Sequence, residues 1–166
     1  MRKTLLLLCF GLFVSSVYCQ QDSIQPTYLK FPVFPPVKLL LPDSSTFYSK
    51  NDLPKKSSVI LMLFNPQCSH CQYETEQMIE HITAFNSVQI IMATSMPFDS
   101  MMSFREKYKL ARFKNIVVAQ DTHFFLPVFY MIHNMPFHAF YNRKKELISV
   151  FEGSMTIEKI LKEINK

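Results

Sequence analysis

Between Lys56 and Pro66 the chain runs Ser58-Val59-Ile60-Leu61-Met62-Leu63-Phe64, apolar at every position after the serine. A run without alternation predicts a strand buried on both faces, as in a parallel or mixed sheet with helices on each side. From Ser69 to Phe85 the spacing changes. Cys71, Thr75, Met78, Ile79, Ile82 and Phe85 recur at helical intervals, which predicts a helix beginning where the Asn65-Pro66-Gln67 turn ends. Val88 to Ala93 reads as a second strand, and Asp99 as the cap of a helix from Ser100 to about Leu110. A strand at Ile116 to Ala119 and a short helix around Phe124 to Ile132 follow. Met135-Pro136 then introduces a strand, Phe137 to Tyr141, that turns at Asn142 to Lys145 into Glu146 to Phe151. Gly153-Ser154 opens a last amphipathic helix through Ile157, Ile160, Leu161 and Ile164. Alternating β and α elements closed by a hairpin and a helix predict an α/β layer fold, with a central mixed β-sheet flanked by helices.

The chain before Ser58 divides in three. Residues 1–19 carry Arg2 and Lys3, the uncharged run Leu5 to Val14, and Val17-Tyr18-Cys19, the pattern of a signal peptide cleaved after Cys19. The apolar run falls short of the roughly 20 residues that span a bilayer, and Tyr18 is too bulky to precede a lipidated cysteine comfortably. Residues 20–42, with Pro26, Pro32, Pro35, Pro36 and Pro42, predict an extended Pro-rich lead-in draped over the domain rather than a helix. Residues 43–166 are assigned to the folded domain, its first stretch, Asp43 to Lys56, being polar.

Composition narrows the function. A chain of 166 residues, 48% hydrophobic, buries one core. Its two glycines, Gly11 and Gly153, cannot write a phosphate-binding glycine loop. A net charge of +5, falling to +3 once Arg2 and Lys3 leave with the signal segment, gives no footprint for nucleic acid. Loss of Cys9 and Cys19 leaves Cys68 and Cys71 in an oxidising compartment, where a lone pair usually forms a structural bridge. A disulfide gains stability by closing a long loop, and C-x-x-C closes almost none, so this pair points to chemistry.

The motif is Asn65-Pro66-Gln67-Cys68-Ser69-His70-Cys71. At the start of a helix, backbone N–H groups and the helix dipole favour an anion, so Cys68 is expected to ionise readily and act as the exposed nucleophile. Cys71, one turn further on and on the apolar stripe, is expected to be the shielded thiol that resolves the mixed disulfide. His70 can place positive charge or a hydrogen bond near Cys68, or stand as a polar turn residue. Closed structural zinc needs four ligands, and no second C-x-x-C exists. His123, His133 and His138 read as scattered surface or core histidines, and Arg143-Lys144-Lys145 as a solvated turn.

These residues resemble the thioredoxin superfamily: C-x-x-C at a strand-to-helix junction, Met135-Pro136 before a later strand, and Gly153 before the last helix. The lead-in and the extra βα unit between Val88 and Leu110 resemble the exported TlpA/ResA-like thiol-disulfide oxidoreductases, over about residues 31–166. The resemblance implies a thioredoxin-like fold, with Cys68 attacking and Cys71 resolving. It makes Pro136 the cis-proline facing the disulfide, preceded by Met135, whose backbone receives an extended substrate, and Glu74 a carboxylate that tunes Cys71 or relays its proton. The helical spacing independently directs Glu74 toward the buried face. There are departures: no tryptophan flanks the motif, Met62 stands where thioredoxins proper carry a buried acid, Glu76 replaces a common proline, and Ser69-His70 differs from the dipeptides of the reductive branch.

The resulting expectation is an exported enzyme exchanging disulfides with protein substrates, without a bound cofactor or metal. It would be periplasmic in a Gram-negative source and otherwise secreted, be served by a membrane or soluble redox partner, and bind no nucleic acid. The alternative is a Cu(I)-binding or metal-delivery protein using Cys68 and Cys71 with Met96, Met101 and Met102 and a nitrogen from His123, His133 or His138. Copper-delivery relatives of the fold usually space their cysteines by three residues instead of two. A peroxiredoxin-type peroxidase is weaker still, because Asn65 stands where its threonine belongs.

Overall fold

The computed structural model describes residues 25–166; the expected signal segment, with Cys9 and Cys19, lies outside them. The elements are α1 (Thr27–Lys30), β1 (Leu39–Leu40), β2 (Phe47–Tyr48), β3 (Ser58–Leu63), α2 (Ser69–Glu80), β4 (Val88–Thr94), α3 (Phe98–Lys107), β5 (Ile116–Gln120), α4 (Phe125–Tyr130), β6 (Phe137–Tyr141), β7 (Leu147–Glu152) and α5 (Ile157–Ile164). The strands form one sheet in the order β2-β1-β5-β4-β3-β6-β7. β3 runs parallel to β4 and β4 to β5, whereas β6 is antiparallel to β3 and to β7. This is the mixed sheet the alternation of elements predicts.

The uninterrupted apolar character of β3 follows from its central place. Val59, Leu61 and Leu63 enter a core packed by Leu126, Phe129 and Tyr130 of α4. Ile60 and Met62, one position out of phase, enter the opposite core with Met78 of α2, Phe104 of α3 and Ile160 of α5. With a side-chain period of two, a strand covered on both faces has no position that faces water. All of β4 is likewise buried.

Several boundaries differ from expectation. α2 ends at Glu80, and a separate 3-10 turn covers Ile82–Phe85. α3 begins at Phe98 with Pro97 at the cap position, so Asp99 lies in the first turn instead of capping it. Pro97 fixes the entry angle, and Asp99 gains from the positive end of the helix dipole. The lead-in contains the helical turn α1, started by Pro26. It reaches the domain through hydrogen bonds from Phe34 N to Lys145 O (3.0 Å) and from Leu147 N to Pro32 O (2.8 Å). β1 and β2 form a hairpin that the sequence did not announce. Its turn is shaped by the Asp43 carboxylate, which accepts from the N–H groups of Ser45 (2.9 Å) and Thr46 (2.8 Å).

The basic turn after β6 is only partly solvated. Lys145 is buried, with a left-handed φ of 67°, and its Nζ donates to the carbonyls of Pro54 (2.7 Å), Ser57 (2.6 Å) and Arg143 (3.3 Å). Burial lowers its pKa. The ammonium clasps the approach to β3 to the β6–β7 hairpin. Lys145→Gly keeps the left-handed backbone and removes the cation. It should lower stability by about 2 kcal/mol, the scale of a charged hydrogen-bonding group, read as a lower urea midpoint with unchanged slope.

Candidate active site

β3 delivers the chain to the Asn65-Pro66-Gln67 turn, which is built from local hydrogen bonds. Asn65 Oδ1 accepts from Gln67 N (2.9 Å), Asn65 O from Cys68 N (3.0 Å), and Pro66 O from Gln72 Nε2 (2.8 Å). Cys68 is the N-cap of α2, with extended dihedrals (φ −77°, ψ 119°), and is partly exposed. Its sulfur stands at the end of the helix where N–H groups are unpaired. Cys71 is one turn inside and buried; both cysteines are present as thiols. The Cys71 thiol is pushed up to about 12. Burial is the main cause; a hydrogen bond from the Asn65 backbone opposes it, and the neighbouring Cys68 and Glu74 add to the rise.

The second wall comes from the loop before β6. The Met135–Pro136 peptide is cis, Pro136 is buried, and the Met135 carbonyl oxygen lies 4.0 Å from Cys68 Sγ. Glu152, at the end of β7, holds this loop by accepting from His133 N (3.1 Å), Asn134 N (3.0 Å) and Asn134 Nδ2 (3.2 Å). Burial alone would raise the Glu152 carboxyl; the donors outweigh it and hold the pKa below the ordinary value. Gly153 N donates to Pro136 O (2.8 Å) from a backbone with φ of 90°, a conformation that favours glycine. Beside Met135 a cleft of about 190 Å³ opens between Asn65, Met96, Phe124, Pro127 and Ile132.

Beneath Cys71 lies a buried polar pair. Glu74, 1% exposed on α2, hydrogen-bonds through Oε1 to Nε2 of His138, which is fully buried on β6, and through Oε2 accepts from Met155 N (2.8 Å). The structure therefore brings Cys68, Cys71, Glu74, Met135 and Pro136 to one place. His70 stands apart, exposed on the first turn of α2, and among the described residues no hydrogen bond joins it to Cys68. His138 was missed by sequence reasoning, which grouped it with scattered histidines. Its place two residues after Pro136 on an otherwise apolar strand was visible in the sequence, but its register with Met62 was not.

The residues weighed for copper have other surroundings to account for. Met101 is buried in the α2–α3–α5 core, His138 is committed to Glu74, and His123 bonds the neighbouring Thr122 on an exposed turn. Among the described residues no three His, Cys, Asp or Glu side chains are grouped so that they could hold a metal ion.

At about pH 8 a thiol with a pKa near 12 is ionised to roughly one part in ten thousand. Iodoacetamide should therefore label Cys68 and spare Cys71 in the folded, reduced protein, and label both in denaturant, as peptide mass mapping would show. Folding raises the Cys71 pKa from the ordinary 9.0, so its stability contribution is fully present below about pH 9 and is lost as the pH climbs toward 12. Urea unfolding of the reduced protein should show that decline, and Cys71→Ala should lack this part of it.

No family model matches the sequence, and no curated protein does. Solved structures do. The chain is similar to MTB dsbF in its mixed oxidized and reduced forms, at 18% identity and TM-score 0.66 over 80% of this chain and 97% of that one. It is similar to a secreted Mycobacterium tuberculosis disulfide oxidoreductase homologous to E. coli DsbE, at 17% identity and TM-score 0.64 over 78% and 95%. It is also similar to the pneumococcal exposed lipoprotein thioredoxin of Streptococcus pneumoniae, at 23% identity and TM-score 0.61 over 77% and 96%. At such identities the likeness is one of fold: the chain has the thioredoxin-like fold, as its sheet order and its helices on both faces already indicate.

Proposed function

We propose that this chain is an exported thiol-disulfide oxidoreductase of the TlpA/ResA-like kind, exchanging disulfides with protein substrates through Cys68 and Cys71. One observation carries the reading: a partly exposed cysteine caps a helix against the Met135 carbonyl while its partner, one turn in, is buried and protonated. That division of labour suits exchange. The Cys68 thiolate attacks a substrate disulfide, forming a mixed disulfide and releasing one substrate thiolate. Cys71 then attacks Cys68. The Cys68–Cys71 bond forms, the bond to the substrate sulfur breaks, its electron pair leaves with the second thiolate, and the Cys71 proton passes to Glu74. The substrate gains two electrons and the cysteine pair loses them; run backwards, the same steps oxidise a dithiol.

The Met135 backbone and the cleft beside it give an extended polypeptide a place to lie across Cys68. His70, exposed next to the motif, supplies positive charge or a hydrogen bond to the Cys68 sulfur as a substrate closes over it. The pair itself is the redox group, so the reaction draws on no bound cofactor, and a membrane or soluble partner resets it. The amino-terminal pattern of residues 1–19 supports export, to the periplasm in a Gram-negative source and otherwise out of the cell. Two of the similar structures are of a secreted and of an exposed protein, in keeping with that reading.

Cys68→Ser should bring catalysed insulin reduction to background. Cys71→Ser should retain the first attack and accumulate a covalent mixed disulfide, visible as a band that dithiothreitol removes. Full activity of either variant would contradict the assignment.

A further inference from the structure

His138 is fully buried, yet only half of its hydrogen-bonding capacity is used: Nε2 meets Glu74 Oε1, and Nδ1 has no partner. Buried polar atoms are rarely left unpaired, and an imidazole on an otherwise apolar strand face needs a reason. The tautomer with hydrogen on Nε2 donates to Glu74 and leaves only a lone pair at Nδ1. Any form with hydrogen on Nδ1 would bury an unpaired donor. The ring is therefore a fixed N–H donor aimed at one oxygen of a carboxylate whose other oxygen is held by Met155 N. Its orientation is locked by packing: Phe140, two residues on along β6, stacks on it with centroids 6.1 Å apart and planes 18° apart.

The surroundings leave Cys71 as the group this device addresses. The strand neighbours of His138 in register are Met62 of β3 and Phe151 of β7, neither titratable. Cys71 and Glu74 share the inner side of α2, Tyr108 follows α3 in the same core, and α5 contributes Ile160. Two cations border this side: Lys159 lies over the Phe151 ring, 3.5 Å from its centroid, and Lys107 over the Tyr108 ring, 4.9 Å from its centroid.

We propose that His138 is a positioning residue for the resolving step: it donates to Glu74 Oε1 and fixes the carboxylate so that its remaining lone pairs take the proton of Cys71. This rests on the exchange reading above and deepens it. As Cys71 sulfur bonds to Cys68 sulfur, the bond from Cys68 to the substrate sulfur breaks with its electron pair, and the Cys71 proton moves to Glu74. His138 keeps its own proton throughout. Without it the carboxylate loses one of its two anchors in an apolar core, with one oxygen left unpaired.

The test is rapid mixing of the reduced protein with excess dithiobis(nitrobenzoate), which releases one coloured thiolate when Cys68 attacks and a second when Cys71 resolves. In His138→Leu the first phase should match wild type. The second should slow about a hundredfold at about pH 7, the scale of a misplaced catalytic group, and rise more steeply with pH, since hydroxide then replaces Glu74 as proton acceptor. His138→Gln, whose amide can donate to Oε1, should recover about tenfold of the loss. If His138→Leu does not fold, His138→Asn, too short to reach Oε1, carries the same expectation. An unchanged second phase in His138→Leu, or a slowing equal at every pH that His138→Gln does not relieve, overturns the proposal. A slowed Glu74→Gln beside an unchanged His138→Leu overturns the role of His138 alone. A wild-type second phase in Glu74→Gln overturns the proton route on which it rests, and absence of the first phase in the wild type overturns exchange itself.

Discussion

A carboxylate held in the core, 1% exposed, is the constraint around which the site is arranged. An ionised side chain out of water costs several kcal/mol unless donors replace the lost hydration. Glu74 finds two, the His138 ring from β6 and the Met155 N–H from the segment before α5. Its bonds therefore join the cysteine helix, the strand after Pro136 and the approach to the last helix at one point on the buried side of the helix that carries Cys71. The same charge raises the Cys71 thiol in addition to burial, so the group that organises the packing also bears on the chemistry.

The wall facing Cys68 is held by the same logic at the same end of the strands. Glu152 gathers the N–H groups of His133 and Asn134, and Gly153 bonds the Pro136 carbonyl, so the loop carrying Met135 is fixed by β7 and its exit. Rigid elements on both sides leave Cys68 with a defined opening, bordered by the cleft at Phe124 and Ile132. Reactive groups set on such a frame keep their geometry through a cycle of bond making and breaking.

Much of this was legible in the sequence, for physical reasons. The all-apolar run Val59–Phe64 could only be a strand covered twice, and Cys68 and Cys71 at its exit marked the helix start. Glu74 was legible because three residues of helix carry it from Cys71 toward the core. Three features were not. The β1–β2 hairpin is two residues per strand and depends on pairing with β5, a contact far off in sequence. Lys145 looks like any turn lysine until the carbonyls of Pro54 and Ser57 are brought to it. His138 sits opposite Met62, where the absence of a buried acid was noticed, but only the register of β3 with β6 shows that an imidazole and Glu74 together occupy that layer.

The central claim is that Cys68 and Cys71 form a catalytic pair and not a structural clip. The measurement that reaches it most directly is the equilibrium reduction potential of the pair in residues 20–166, titrated against glutathione and dithiothreitol with free thiols trapped and counted. The account predicts a reversible two-electron couple within the span of catalytic pairs, about −120 to −270 mV. A potential below about −300 mV, typical of structural disulfides, or a pair that cannot be cycled, would contradict it.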